Sequence, residues 1–81
     1  MKHQIQETRG IRKTLRNLHR DYLEVLASKI RNLADNPYVG KPSHAPYKGL
    51  REVKIGKYRL IYSIPGYCQV RLERIIHRET L

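Results

Sequence analysis

Two cations near the middle of the sequence have the side-chain types and the spacing to hold a phosphate group. Lys54 and Arg59 stand on either side of the dipeptide Gly56-Lys57. An arginine guanidinium can bind a phosphate through two parallel hydrogen bonds, and a lysine ammonium acts as a movable point charge. Because like charges placed together repel each other, the pair favours an anion as its ligand. The spacing leaves one alternative open, a solvated cationic surface with no specific ligand.

The run GLREVKIGKYRLIY at residues 49–62 predicts how these two cations are positioned. Apolar residues alternate with polar ones on both sides of Gly56-Lys57, which indicates two half-buried strands joined by a tight turn. One face of this hairpin would point apolar side chains at a core: Val53, Ile55, Leu60 and Tyr62. The other face would carry Lys54 and Arg59, about 5–8 Å apart across the strands. Three further cations could reach the same region: Arg51, Arg71 and Arg78.

The composition limits the partners of the chain. Its 81 residues include 17 Lys and Arg against 7 Asp and Glu, for a formal net charge of +10. Such a charge suits a polyanion: nucleic acid, an anionic membrane or an acidic protein segment. The one cysteine, Cys68, cannot form an internal disulfide, and no apolar run approaches the roughly 18 residues that a membrane span needs. We therefore expect a single domain over residues 1–81, located in the cytoplasm and without a membrane partner.

Helical periodicity dominates the first part of the chain, from Thr8 to Asn36-Pro37. Thr8 is the predicted N-cap of a helix whose apolar stripe lies opposite four cations: Arg9, Arg12, Lys13 and Arg16. One helix over residues 8–35 would be about 40 Å long, whereas a domain of this size has a radius of gyration of only about 12 Å. The sequence therefore predicts two helices, broken near residues 18–21, with Asp21 and Glu24 forming the second N-cap and a capping box. The second helix would end before Pro37.

The remaining segments complete one sheet. Residues 3–7 are predicted to form a first strand with Ile5 pointing inward, and residues 37–48, with their three prolines, to form an irregular loop. After the hairpin, residues 64–67 predict a turn and residues 68–76 a last strand, whose phase becomes ambiguous at Ile75-Ile76. The ambiguity indicates either a bulge or a strand buried on both faces. The predicted fold class is α+β, in the order β-α-α-β-β-β, with an antiparallel sheet and an N-terminal helical hairpin packed on one face.

Several of these motifs occur together in a known family. The chain has Lys48-Gly49-Leu50 before the hairpin, Lys54 on its first strand, Gly56 at its turn, Tyr58-Arg59-Leu60-Ile61-Tyr62 on its second strand, and His77-Arg78 after them. In this order and spacing, the sequence resembles the RelE/ParE superfamily of toxins from type II toxin–antitoxin systems. The predicted helical hairpin, which ends in Ala34-Asp35-Asn36-Pro37, also lies where the family has one, so the resemblance covers nearly the whole chain.

The resemblance implies a function. RelE-type members are ribosome-dependent mRNA endoribonucleases that inhibit translation, and an antitoxin holds them in check. Cleavage proceeds by attack of the substrate's own 2′-OH on the adjacent phosphate, with no metal and no other cofactor. We accordingly expect the ribosome, mRNA and an acidic RelB-like antitoxin as partners, the last in a heteromeric toxin–antitoxin complex. Two alternatives stay open: a ParE-like inhibitor of DNA gyrase, and a degenerate, non-catalytic toxin homologue.

The resemblance also implies roles for individual residues. Lys54, Arg59 and Arg78 match the family's catalytic basic residues. The two arginines would meet the phosphate charge, and Lys54 would contact the phosphate or act as the base. Glu52 stands where RelE has a second catalytic lysine. This carboxylate would act as the base or simply pair with a neighbouring cation, either Arg51 or Arg71.

The acid that protonates the leaving oxygen has three candidates: His77, His44 from the loop, or a group on the ribosome. No tyrosine follows His77-Arg78 in this sequence, although the family has one there. Tyr58 and Tyr62 share the phase of the apolar residues, so we expect them in the core rather than stacked on RNA bases. The residues expected to contact RNA are all basic: Lys48, Arg51, Lys54, Lys57, Arg59, Arg71 and Arg78.

Overall fold

The computed structural model describes residues 2–44 and 46–77, which form two helices and five strands. In chain order these are β1 (Gln4–Glu7), α1 (Arg9–Asn17), α2 (Arg20–Asp35), β2 (Lys41–Pro42), β3 (Arg51–Ile55), β4 (Tyr58–Ser63) and β5 (Gln69–His77). The strands build one sheet in the order β1-β5-β4-β3-β2. The α+β class and the pair of helices ahead of the hairpin are as predicted.

Local sequence signals explain where the helices begin and end. The Thr8 hydroxyl oxygen accepts a hydrogen bond from the backbone N–H of Ile11 at 3.2 Å, which confirms Thr8 as the N-cap of α1. The chain breaks at residues 18–19, within the predicted window. The predicted second N-cap was wrong: His19 caps α2, because its Nδ1 accepts from the backbone N–H of Asp21 at 3.2 Å. The last residue of α2 is Asp35, just before Asn36-Pro37 as expected.

The core lies between the helices and one face of the sheet. Its buried members are Ile11, Leu26 and Leu33 from the helices and Ile55, Leu60, Tyr62, Val70 and Leu72 from the strands. Ile5 and Val53 pack against this cluster and are partly buried. The alternation in the hairpin therefore predicted its core face correctly. None of the described helices has the length and apolar character needed to cross a membrane.

The sheet differs from the prediction at both edges. Strand β1 runs parallel to β5, with Ile5 opposite Val70, so the sheet is mixed rather than antiparallel. The two helices between β1 and the rest of the sheet provide the crossover that a parallel pairing needs. Residues 37–48 were predicted to form a loop too irregular for a helix or a central strand, and within it Lys41–Pro42 pairs with β3 as the short edge strand β2, which was not predicted. Proline is tolerated there because an edge strand does not need every N–H for the ladder.

Strand β5 contains a β-bulge. Ile61 pairs with Arg74 while its neighbour Tyr62 pairs with Leu72, so Glu73 occupies an additional position. The bulge lies two residues before the ambiguous Ile75-Ile76 pair, and it shifts the phase of the strand from there onward. Leu72 and Ile75 consequently both pack on the helix side, although they are three residues apart.

Two glycines and Tyr62 hold the hairpin and the preceding loop in place. Gly56 has φ +58° at the β3–β4 turn, in the region that favours glycine. The Tyr62 hydroxyl donates to the carbonyl of Pro37 at 2.7 Å and accepts from the N–H of Gly40 at 3.1 Å. A Cβ added at Gly40 would lie 2.7 Å from the carbonyl oxygen of Glu52, so this approach of loop to strand needs glycine.

Candidate anion-binding site on the open face of the sheet

The face of the sheet opposite the helices, called the open face below, collects side chains from four strands. Residues directly opposite each other in an antiparallel pair project to the same face. By this register the open face carries Lys41, Glu52, Lys54, Arg59, Ile61, Ser63, Arg71, Arg74 and Ile76. Five of these nine residues are cations, and Glu52 is the acid among them. The sequence prediction of a cationic face therefore corresponds to a surface that no described helix covers.

Lys54 and Arg59 lie directly opposite each other near the hairpin turn. Lys54 is exposed and makes no hydrogen bond or ion pair within the described part of the chain. Arg59 is more enclosed, with a side chain that is 21% exposed. The pair thus combines an exposed ammonium with a guanidinium held against the sheet, which is a chemically suitable arrangement for a phosphate.

Glu52 fixes the orientation of Arg59. Its Oε2 accepts a hydrogen bond from Arg59 Nη1 at 3.2 Å, and its side chain is only 1% exposed. Glu52 pairs with Ile61 across the ladder, so Arg59, two residues away on β4, is its diagonal neighbour. The expectation that Glu52 pairs with a cation fits this contact, but the partners named for it were wrong. Arg51 directly precedes Glu52 on β3, so its side chain points to the helix side of the sheet and not to the open face.

The ion pair is incompletely satisfied. Glu52 Oε1 and Arg59 Nε are both buried and have no hydrogen-bond partner among the described residues. Because buried polar atoms are nearly always paired, this spot is suited to a further polar group. A carboxylate that is 1% exposed is poorly placed to reach a substrate hydroxyl. The geometry therefore favours a positioning role for Glu52 over that of a base.

Arg74 is a member of the open face that the sequence did not indicate. It lies opposite Ile61, diagonal to Arg59, and it is exposed. Simple alternation from Val70 and Leu72 would have turned it toward the core, and only the bulge brings it outward. The one signal in the sequence was the ambiguous phase of the last strand.

Arg71 also reaches the open face but lies far from the Lys54–Arg59 pair. It is exposed and sits opposite Ser63, four residues along β4 from Arg59, or roughly 13 Å. Ser63 is occupied by another contact, since its Oγ donates to Glu73 Oε2 at 2.6 Å. Arg71 can therefore extend the cationic surface, but it cannot share one phosphate with Arg59.

His77 lies on the opposite side of the sheet from Lys54 and Arg59. It pairs with Tyr58, and the two rings contact edge to face with centroids 5.3 Å apart. Tyr58 in turn meets the Tyr22 ring of α2 at 4.9 Å, which identifies this as the helix side. Arg78, the next predicted site residue, lies outside the described residues.

The other predicted RNA-contacting residues are dispersed. Arg51 donates through Nη2 to the carbonyls of Tyr38 and Gly40, and its guanidinium lies 5.4 Å from the Tyr38 ring centroid. Arg51 thus ties β3 to the preceding loop. The Lys57 ammonium lies 6.0 Å from the ring of Tyr22, on the helix side.

Lys48 and His44 are exposed in the loop between β2 and β3. Within the described part of the chain, neither side chain forms a hydrogen bond or an ion pair with the open face. Among the described residues, no three metal-ligating side chains of His, Cys, Asp or Glu cluster together.

Comparison with known proteins identifies the family. Residues 5–81 match the family described as the ParE toxin of the type II toxin–antitoxin system parDE, and the chain belongs to this family. The protein is therefore a toxin of a type II toxin–antitoxin system, within the RelE/ParE superfamily. The resemblance inferred from the sequence motifs is confirmed. A comparison with proteins of curated function found no match.

Two solved structures share the fold over almost the whole chain. One is a chain of the crystal structure of the toxin–antitoxin complex RelBE2 from Mycobacterium tuberculosis, with 27% identity and a TM-score of 0.81, covering 96% of this chain and 100% of that one. The other is a mutant of the E. coli toxin RelE in the free state, with 21% identity and a TM-score of 0.79, covering 99% and 87%. At 21% identity, the likeness to the E. coli RelE mutant shows a shared fold and nothing further.

Proposed function

We propose that this toxin is a ribosome-dependent endoribonuclease that cleaves mRNA, with the scissile phosphate bound on the open face. The observation that carries the proposal is the Lys54–Arg59 pair, two cations directly opposite each other on a sheet face that no described helix covers. The orientation of Arg59 by the buried Glu52 supports it, because a preorganised cation stabilises developing charge without reorganising. The likeness to the toxin–antitoxin complex RelBE2 adds further support.

The proposed reaction is an internal transfer at phosphorus. The 2′-oxygen of the substrate attacks the adjacent phosphorus in line, and the bond from phosphorus to the 5′-oxygen breaks. A base takes the proton from the 2′-OH, and an acid gives a proton to the departing 5′-oxygen. The products are a 2′,3′-cyclic phosphate and a free 5′-OH. Since the nucleophile belongs to the RNA, the protein has to supply alignment, positive charge and proton transfer.

The open face suits these tasks as follows. Arg59 would bind the non-bridging phosphate oxygens and offset the charge that builds up on them. Lys54 would contact the same phosphate or remove the 2′-OH proton, and Arg74 would hold a neighbouring phosphate. Glu52 acts through Arg59 as a positioning residue. Arg78 keeps its proposed place on the phosphate by its position in the family motif.

The proposed partner in the resting state is an acidic antitoxin. A net charge of +10 favours fast association with such a chain, and exposed apolar side chains provide anchors for it. The large apolar residues exposed in the described chain are Leu23, Val25, Tyr38, Val39 and Tyr67. An antitoxin that covers the open face would block the proposed site directly.

Inducing the chain without an antitoxin and mapping RNA 5′ ends tests this function. We expect new ends at set codon positions and growth arrest. Lys54→Met should reduce cleavage by about 100-fold, the typical effect of removing one charge-stabilising group. Lys54 is exposed, so the variant should fold normally. Lys29→Met on α2 is the matched control and should cleave like the wild type.

Two results would contradict the proposal. One is full cleavage by Lys54→Met at normal protein levels. The other is growth arrest with DNA breaks trapped on gyrase and no new mRNA ends, which would support the ParE-like alternative.

A further inference from the structure

Helix α1 carries a cationic surface that the proposed reaction does not use. Arg9, Arg12, Lys13 and Arg16, called the α1 stripe below, are all exposed. At about 100° per residue these four side chains fall within an arc of about 100°. The buried Ile11 and the partly buried Leu15 lie on the other side of the helix. The stripe therefore faces solvent along the whole length of α1.

The α1 stripe is unfavourable for the helix itself. Its members stand three or four residues apart, so each has like-charged neighbours on the helix surface. Arg9 begins the helix, at the positive end of its dipole, and the first turn contains no acid. Only Arg12 has an acidic partner among the described residues, an exposed pair with Glu7 at 3.7 Å.

The other helix shows what an ordinary solvated surface looks like in this protein. In α2 three acids, Asp21, Glu24 and Asp35, balance three cations, Arg20, Lys29 and Arg31. The sequence of α1, RGIRKTLRN, contains no acid at all. The contrast indicates that α1 meets a polyanion, which would turn the repulsion within the stripe into attraction.

Two depressions that share Gly10 lie between the α1 stripe and Arg74 at the edge of β5. A depression of about 500 Å³ is lined by the four stripe residues and Gly10. Gly10 also lines a second depression of about 440 Å³, between α1 and β5, which reaches Arg74 on the open face. Strand β1 pairs with β5 only as far as Leu72. The edge of β5 from Glu73 onward is therefore not paired with β1 and borders the second depression. Glu73, the acid in the second depression, is engaged by Ser63.

We propose that the α1 stripe binds the phosphate backbone of double-helical RNA, as a second contact separate from the strand bound on the open face. The proposal rests on the proposed function in taking RNA as the target. Single-stranded sites usually offer aromatic rings on which bases stack, and neither depression is lined by an aromatic residue. A rigid helix with regularly spaced cations and no base-reading groups suits a backbone of fixed shape. A protein partner would need apolar anchors, and α1 turns its apolar residues inward.

Duplex binding by matched variants tests the inference. The probe is a labelled, blunt RNA duplex of about 20 base pairs, long enough for a shape-reading contact across more than one groove. The stripe variant is Lys13→Gln with Arg16→Gln, and the control is Lys29→Gln with Arg31→Gln. Both remove one lysine and one arginine from a helix, so their net charges are equal. Fluorescence anisotropy between about 50 and 200 mM salt gives the affinity and its salt dependence.

The stripe variant should bind the duplex about 10- to 50-fold more weakly than the control near 0.1 M salt. Its plot of log affinity against log salt should be less steep by about 1.8, since each lost phosphate contact removes about 0.9. Equal binding by stripe and control variants would overturn the inference. So would equal losses for the duplex and for single-stranded RNA, tighter binding of a DNA duplex of the same sequence, or a loss of antitoxin binding with duplex binding unchanged.

A cleavage assay on ribosomes separates this inference from the proposed function. A wild-type chain that binds the duplex but leaves ribosome-bound mRNA uncut would refute the proposed function alone. A wild-type chain that cuts mRNA, with a stripe variant that binds the duplex like the control, would refute the inference alone. Circular dichroism of all variants checks that the helices are retained.

Discussion

The contact between Glu52 and Arg59 gives the sharpest test of how the site is built. In Glu52→Leu the Arg59 guanidinium keeps its charge but loses its partner at 3.2 Å. Removing one member of a buried ion pair typically destabilises a protein by about 3–5 kcal/mol. One fifth of the Arg59 side chain remains exposed, so water can compensate in part. We expect the free energy of unfolding to fall by about 2–4 kcal/mol, which lowers the Tm of a domain of this size by about 10–25 °C.

Replacing both partners should restore the stability. In the double variant, Glu52→Leu with Arg59→Leu, no charge is left unpaired, and the new side chains lie beside the fully buried Ile61. Apolar replacement of an entire buried pair is often neutral or stabilising. We expect the double variant to unfold within about 1 kcal/mol of the wild type. Its mRNA cleavage should nevertheless be lost, because the guanidinium that would hold the phosphate is gone.

Urea unfolding of the wild type, the two single variants and the double variant completes a thermodynamic cycle. Each single variant should lose about 2–4 kcal/mol and the double variant at most about 1 kcal/mol, so the coupling free energy should be about 3–9 kcal/mol. It should change little with added salt, since screening acts mainly on exposed pairs. A coupling below about 0.5 kcal/mol would refute the buried pair. A double variant as unstable as the sum of the singles would also refute it. Full cleavage by the double variant would show that Arg59 does not bind the phosphate.

Two other substitutions probe the surroundings of the site. Tyr62→Phe should lower the free energy of unfolding by about 2–3 kcal/mol in urea, because the buried carbonyl of Pro37 and the N–H of Gly40 both lose their partner; an effect under about 0.5 kcal/mol would contradict this. His77→Gln should cleave mRNA within about threefold of the wild type, because His77 packs on Tyr58 at the helix side; a loss of about 100-fold or more would indicate that it serves as the acid.

Alternation along the hairpin was enough to predict its two faces. Apolar residues at every second position gave the core side, and the same period placed Lys54 opposite Arg59 on the other side. The break between the helices followed from length alone, because one long helix could not bury its apolar stripe on so small a sheet. These features depend on local sequence, where period and chain length carry the information.

Features that depend on register and strand direction were not predicted. Glu52 contacts Arg59 because the two are diagonal neighbours across β3 and β4. Which residues become diagonal neighbours depends on the register of the two strands, and the register cannot be read from the sequence alone. The parallel pairing of β1 has the same origin, since a four-residue strand looks alike in either direction. The two-residue strand β2 is too short to show any period.

The bulge at Glu73 determines which side chains share the open face. Without it, the alternation of β5 would turn Arg74 into the core, where an unpaired guanidinium is not tolerated. With Glu73 in the additional position, Arg74 joins Arg59 on the open face, while His77 turns back toward Tyr58. One inserted residue therefore adds a cation to the candidate site and takes the histidine away from it. In the proposed reaction, the proton for the leaving oxygen would then come from a group other than His77, either His44, Lys54, a residue after His77 or a group on the ribosome.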